Sequence, residues 1–446
     1  MRFKATPLAL ATALALCSSP SFAVDLMQSY TQARQSDPTL AISESQNAIS
    51  KEGVVQSRSI LLPQISAQTG VSRTTSENNL QSAKTSTSSS SSISLNQSIF
   101  NWGNYTRLNG SQARNEQSNA ELDSANDSLI TRTAEAYFNV LTAIDALSAS
   151  RTEERAVKRQ LDQAEKRLEV GLAPITDVHE AKARFDSSRA NTILAGNVLN
   201  DAREALAEIT GQPSVDLKGL PDSYQPVSES TRATEEWVQQ ALNSNPIVKA
   251  RSLALAAAED DIASAKAAHL PTLEGSITYG ERSLISGDVG VFSTTDSNQT
   301  SYGLELRVPI FSGFNTQSRV RQAVANRDIA AEQLEQSKRA ITRQVRNADR
   351  TLVAGLAEVE ARRLAVVSAQ SALEAGEVGL EVGTRTIVDV LLAQQQLFNA
   401  TREYSRARHN YLVNTLRLKQ AAGSLEVADV ENINRLLTAD AEQKIQ

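Results

Sequence analysis

The chain states one plan twice. Asp37-Pro38 corresponds to Asn245-Pro246 and Leu62-Pro63 to Leu270-Pro271, each 208 residues apart. Ile99-Phe100 and Asn104 return as Ile310-Phe311 and Asn315 after 211 residues. Leu168 to Gly171 returns as Leu380 to Gly383, Asp177-Val178 as Asp389-Val390 and Gly211 as Gly423, all after 212. Six matches in one order, drifting by four residues, divide the chain into repeats at 24–235 and 236–446. Repetition at a fixed spacing governs every later reading of fold.

Within each repeat the order is the same. A helical stretch comes first and ends at Leu-Pro, because the residue before proline disfavours helix. Two alternating segments follow. Ile65, Ala67 and Val71 oppose Gln64, Ser66 and Gln68, and Ile93, Leu95 and Ile99 oppose Ser94, Asn96 and Ser98. In the second repeat Leu273, Ile277 and Tyr279 oppose Glu274, Ser276 and Thr278, and Tyr302, Leu304 and Leu306 oppose Glu305 and Arg307. Period two predicts strands with one apolar face, at about 64–73, 90–100, 272–281 and 300–311. By composition, 73–92, with its serine run at 88–92, and 281–300 read as surface loops.

Long helices come next. Residues 111–170 hold no Gly or Pro, enough for about 90 Å of helix at about 1.5 Å per residue. Ile130, Ala134, Tyr137, Leu141 and Ile144 mark a narrow apolar stripe with coiled-coil-like spacing. Gly171, Pro174 and Gly383 break the helices, so each repeat carries a helical hairpin, at about 104–210 and 316–422.

Four strands cannot close a membrane barrel, since the smallest have about eight. An open sheet edge in lipid leaves unpaired N–H and C=O groups. Strands that face lipid must therefore be pooled between chains. Two, three or four copies would supply 8, 12 or 16 strands, and the alternation alone does not choose. In such a barrel the apolar residues face lipid. Gln64, Ser66, Asn96, Ser98, Glu274, Glu305 and Arg307 line a wet interior.

Other signals narrow the class. Residues 1–23 have a signal-peptide layout, with Arg2 and Lys4, an apolar core, and Ser21-Phe22-Ala23 before the cut. Net charge is −6, and −8 without that segment, which argues against a nucleic-acid partner. Cys17 is the only cysteine, so the mature chain has neither disulfides nor cysteine metal sites. His179, His269 and His409 are scattered, and no phosphate loop or nucleophile elbow occurs. Neither an enzyme activity nor a cofactor is expected. A trimeric adhesin would gather its strands at the C-terminus, whereas here they lie in two internal pairs.

With these elements in place, the chain resembles the TolC family of outer-membrane efflux and secretion channels. The resemblance is carried by Ala136 to Asp145, Val170-Gly171-Leu172, Ile175 to Val178, Leu61 to Gln64, Gln97 to Phe100, His269 to Thr272 and, above all, Val382 to Leu391. It spans nearly the whole mature chain. It implies a mixed α and β membrane protein: a homotrimer whose 12-stranded outer-membrane barrel continues into a periplasmic α-helical barrel. Equatorial segments at about 213–235 and 424–446 would belt the helices. The implied partners are outer-membrane lipid, a periplasmic adaptor protein and an inner-membrane transporter of RND, MFS or ABC type. The implied work is export of drugs, small toxic molecules and proteins through an entrance opened by outward movement of hairpins. A permanently open general-diffusion porin is the alternative.

For the entrance the resemblance is residue by residue. Asp389 matches a gate aspartate, although Thr386 to Asp389 also has the spacing of a capping box. Arg385 matches a tether, with Asp177 as its expected partner, and Gln160 and Glu377 match a second tether pair. Two positions depart from the family pattern. Leu392 stands where a second gate aspartate is expected, and Leu380 where a tyrosine tether is expected. The entrance would thus carry one carboxylate ring beside a leucine ring.

Overall fold

A computed structural model describes residues 23–78, 81–213, 216–226, 232–287 and 296–441. The expected signal peptide therefore lies outside the described residues, apart from Ala23. The first repeat contains helices α1 (Leu26–Ser36) and α2 (Pro38–Ser59), then strands β1 (Gln64–Asn78) and β2 (Gln81–Phe100). It continues with helices α3 (Trp102–Glu169) and α4 (Ile175–Thr210) and the short strand β3 (Lys218–Gly219). The second contains α5 (Thr234–Ser244), α6 (Pro246–Ala267), β4 (Thr272–Gly287), β5 (Asp296–Arg307), α7 (Asn315–Glu381) and α8 (Ile387–Ala422). It ends with α9 (Val427–Asn434) and β6 (Ala439–Asp440). The chain is mostly helical, with a small sheet.

Two compact units result. Ser43–Asp123 with Pro246–Ala340 form one, which holds the sheet, and the other described residues form the second. The sheet has the order β1-β2-β4-β5, antiparallel throughout, and its outer strands β1 and β5 are each paired on one side among the described residues. Between Leu273 and Tyr279 of β4 and their partners, register sorts the side chains onto two faces. Ile65, Leu95, Ile277 and Tyr302 lie in one row across the four strands, and Ala67, Ile93 and Tyr279 in the next. Ser66, Ser94, Thr278 and Ser301 form a row on the opposite face, with Gln64, Asn96 and Ser276 beside it. The seven residues expected in a wet interior share this polar face.

The strands are longer than the composition suggested. Most of the segment 73–92 is strand rather than loop: β1 continues to Asn78 and β2 starts at Gln81, with 79–80 outside the described residues, so the serine run lies within a strand. Hydroxyls satisfy one another across the pair, Ser66 with Ser94 at 2.8 Å, Thr69 with Ser91 at 2.9 Å, Ser72 with Ser88 at 3.2 Å and Thr75 with Thr85 at 3.0 Å. Such cross-strand hydroxyl pairs are stabilising units of a sheet. Of the expected loop 281–300, both ends are strand, since β4 runs on to Gly287 and β5 starts at Asp296, while 288–295 lie outside the described residues. At its other end β5 stops at Arg307, short of the expected 311, because Pro309 has no N–H to give a ladder.

In the second unit the Asp37-Pro38 break is explicit. Asp37 is extended, with φ −67° and ψ 116°, as a residue before proline should be. It closes α1 through its N–H to Ala33 O at 2.8 Å and caps α2 by accepting the Leu40 N–H at 2.8 Å. Asn245, also extended, closes α5 onto Ala241 O at 2.9 Å ahead of Pro246. The stripe Ile130, Ala134, Tyr137, Leu141 and Ile144 is fully buried. Tyr137 donates from its hydroxyl to the carbonyls of Val24 and Lys218, and burial pushes that phenol far above its usual range. Arg408 reaches Pro221 O across a contact of 2.5 Å. Pairing of Lys218 with Asp440 and Gly219 with Ala439 joins β3 to β6.

Candidate functional site: the hairpin tips

Each hairpin turns on a glycine in the left-handed region. After α3, Gly171 has φ +73°, and Leu172 donates back to Arg167 O at 2.7 Å. After α7, Gly383 has φ +80°, and Thr384 donates to Gly379 O at 2.8 Å. These closures satisfy the last carbonyls of a helix and need a residue without Cβ strain. Nothing lies within 4 Å of a Cβ built on either glycine, so conformation rather than space demands glycine there. Pro174 then fixes the entry to α4, where Asp177 sits in the first turn. Val170, Leu172, Ile175 and Val382 leave both tips apolar and exposed.

Asp389 is engaged by its own helix. Its carboxylate accepts the Thr386 N–H and hydroxyl, each at 2.9 Å, while its N–H donates to the Thr386 hydroxyl at 3.3 Å. These bonds from Thr386, with a smaller contribution from Arg385, hold its carboxyl below the usual range. The capping reading of Asp389 is thus realised within one chain. Leu392 is exposed, roughly one turn further along the same helix.

The tether residues are not brought together within the chain. Among the described residues no ion pair joins Arg385 to Asp177, and no hydrogen bond joins Gln160 to Glu377. The Arg385 side chain instead folds over Gly379, where an added Cβ would meet its Cγ at 2.6 Å. Glu377 is exposed, and the Gln160 Oε1 is buried without a partner.

An apolar cluster lies between the hairpins. Val157, Leu161 and Ala164 of α3 and Ala181 of α4 pack with Ile387 and Leu391 of α8. Val178, Phe185, Leu380 and Val388 are packed around them. Leu380, noted in the sequence only as a missing tyrosine, therefore has a packing role. The spacings 157/161 and 387/391 mark one face of each helix, but nothing in them says that the two faces meet.

This frame of paired helices, broken at matched glycines and joined to a four-stranded sheet, is shared with known proteins. The family profile described as outer membrane efflux protein matches residues 29–212 and 237–424, and the chain belongs to that family. It is an outer-membrane protein. It is 37% identical over 433 residues to outer membrane protein TolC of Vibrio cholerae, covering 97% of this chain and 98% of that one. To TolC of Escherichia coli it is 37% identical over 450 residues, covering 98% and 89%. Among solved structures, the Campylobacter jejuni CmeC outer membrane channel superposes with a TM-score of 0.76 at 18% identity, covering 95% of this chain and 94% of that one. That likeness speaks to fold. The matched relatives and neighbours are channels and secretion proteins rather than enzymes.

Proposed function

We propose that three copies pool their sheets into a 12-stranded barrel in the outer membrane, continued by a tube of hairpins into the periplasm. The carrying observation is the sheet itself, which has one apolar and one polar face and two edges open to pairing. Such a sheet is an aggregation hazard in water and an unsatisfied edge in lipid unless copies close it. The apolar rows run from Ala67, Ile93 and Tyr279 to Leu273 and Leu306, and beyond them toward Val71 the same face carries Thr69, Ser91, Glu281 and Asn298. The polar face then lines the duct. Three copies, rather than two or four, is what the family resemblance supports.

The duct is the outer-membrane exit of tripartite efflux pumps and type I secretion. It works with a periplasmic adaptor and an RND, MFS or ABC transporter of the inner membrane. Relatives include the alkaline protease secretion protein AprF and the cobalt-zinc-cadmium resistance protein CzcC, at 27% and 24% identity. That range of names supports a duct whose cargo is chosen by its pump. The hairpin tips form the entrance, where three Asp389 carboxylates attract cations and the Arg385 and Asp177 charges of the tips govern closure.

Single-channel conductance of the mature protein in planar bilayers, with Asp389→Ala alongside, tests this reading. A small, cation-selective conductance that loses selectivity in Asp389→Ala is expected. A large, weakly selective conductance indifferent to the substitution would replace the gated duct with an open porin and leave Asp389 as a helix cap.

A further inference from the structure

At the tips Arg385 and Asp177 form no ion pair with each other among the described residues, and a buried apolar seam lies between the hairpins. Beyond Gln394 along α8 the contacts across the seam turn polar. Arg184 donates to Gln395 at 3.5 Å, Arg402 pairs with Glu153 at 3.2 Å, and the Ser405 hydroxyl reaches Asp145. The side chain of Glu153 is nearly buried, so this part of the seam is fastened by charge and hydrogen bonds. Nearer the tip the seam is apolar, with Ile387 and Leu391 of the second hairpin clustered with Val157, Leu161, Ala164 and Ala181 of the first, and Leu380, Val178 and Phe185 packed against that cluster. Two amides sit on the same helix faces, Gln160 three residues after Val157 and Gln394 three after Leu391. Each has an Oε1 that is buried without a hydrogen-bond partner, and Gln394 is only 6% exposed.

Burying a polar atom unpaired opposes the state that buries it. Water would satisfy both amides if the hairpins parted. The seam therefore combines an apolar attraction that favours contact with two groups that favour separation. Groups of this kind set a two-state element near balance.

We infer that each chain closes the entrance through an apolar latch, Leu380, Ile387 and Leu391 against the first hairpin, and that Gln160 and Gln394 keep this latch easy to release. The inference rests on the duct reading above and names how its entrance is held. The tip half of the second hairpin swings, while the Arg402–Glu153 and Ser405–Asp145 contacts stay fastened. Leu380 supplies packing where the family pattern has a polar tether.

The mature chain has no cysteine, so one thiol can report on the seam. Ala181 is 0% exposed inside the cluster. An Ala181→Cys protein, folded by circular dichroism, is treated with a maleimide, and the labelling rate reads how often the hairpins part. Adding Leu391→Ala should speed labelling by about tenfold or more, the effect of about 1.4 kcal/mol on a two-state equilibrium. Adding Gln394→Met, which keeps the volume and removes the unpaired amide, should slow it. General loosening cannot produce a slower rate, so the two directions together identify the latch. Equal rates in all three folded proteins, or faster labelling with Gln394→Met, would overturn it. Planar-bilayer recordings of the same proteins separate this outcome from the duct reading. A conducting channel whose labelling ignores both substitutions removes the latch alone, and a protein that never conducts removes the duct.

Discussion

The ion pair at the first helix break offers a quantitative test. Asp37 and Arg132 meet through two contacts, Arg132 Nη2 to Oδ2 at 2.7 Å and Nη1 to Oδ1 at 3.3 Å. The Asp37 side chain is 3% exposed and that of Arg132 33%. Asp37→Asn keeps an oxygen to cap α2 and removes the charge. Breaking a fully buried pair costs about 3–5 kcal/mol and an exposed one less than about 1 kcal/mol. With one partner a third open, about 2 kcal/mol is expected. The second repeat already uses the neutral form, Asn245, whose Nδ2 donates to Ala421 O at 3.0 Å, so asparagine is compatible with the geometry. Burial raises the Asp37 carboxyl, but the Arg132 guanidinium and the Leu40 N–H outweigh it and hold it below its ordinary value. A carboxyl depressed in the folded state contributes its full stability above its unfolded value, and that contribution is lost as pH falls through the lower folded value. Urea unfolding of the detergent-solubilised protein, in a cycle of Asp37→Asn, Arg132→Met and the double variant, should give a coupling of about 2 kcal/mol at pH 7. The loss of stability below about pH 4 should be shallower in Asp37→Asn. A coupling under about 0.5 kcal/mol, or unchanged acid sensitivity, would refute the reasoning, because that is the behaviour of a solvated surface pair.

Two further outcomes follow from backbone and sheet geometry. Gly423 has φ +67°, and an added Cβ would lie 2.7 Å from the Asn245 and Ser244 backbone. Gly423→Ala should therefore cost about 3 kcal/mol or more, whereas Gly383→Ala, in open space at φ +80°, should cost only the left-handed strain of about 1–2 kcal/mol. Urea midpoints separate the two. On the sheet, Tyr302→Lys places a charge on the apolar face and should destabilise the inserted protein by about 2–4 kcal/mol. Its neighbour Ser301→Lys, on the polar face, should insert normally and shift conductance toward anions. Yield of membrane-inserted protein and reversal potentials read the pair.

Much of this architecture is written in local patterns. The left-handed φ at Gly171, Gly211, Gly383 and Gly423 matches the four repeat-related glycines where the pattern ends helices, because a helix end has a conformational requirement that one residue type meets. The row Ile65, Leu95, Ile277 and Tyr302 follows from period two alone. Misreadings arose where a segment's structure depends on what lies opposite it. The serine run resembles a loop by composition, yet Ser88 and Ser91 face hydroxyls at the matching register of β1 and become strand. Arg385 carries a recognisable motif, but a motif does not specify the partner of a long side chain, and here the chain lays it over Gly379. Leu380 showed as the loss of a tether, and only its packing against the cluster that holds Ile387 and Leu391 gives it a structural part.

The central claim is that separate chains complete one barrel with this sheet. Native mass spectrometry of the protein released from mild detergent measures that directly. Three chains per particle, giving 12 strands, are predicted. A stable monomer would contradict pooling altogether, and a dimer or tetramer would contradict the 12-stranded duct.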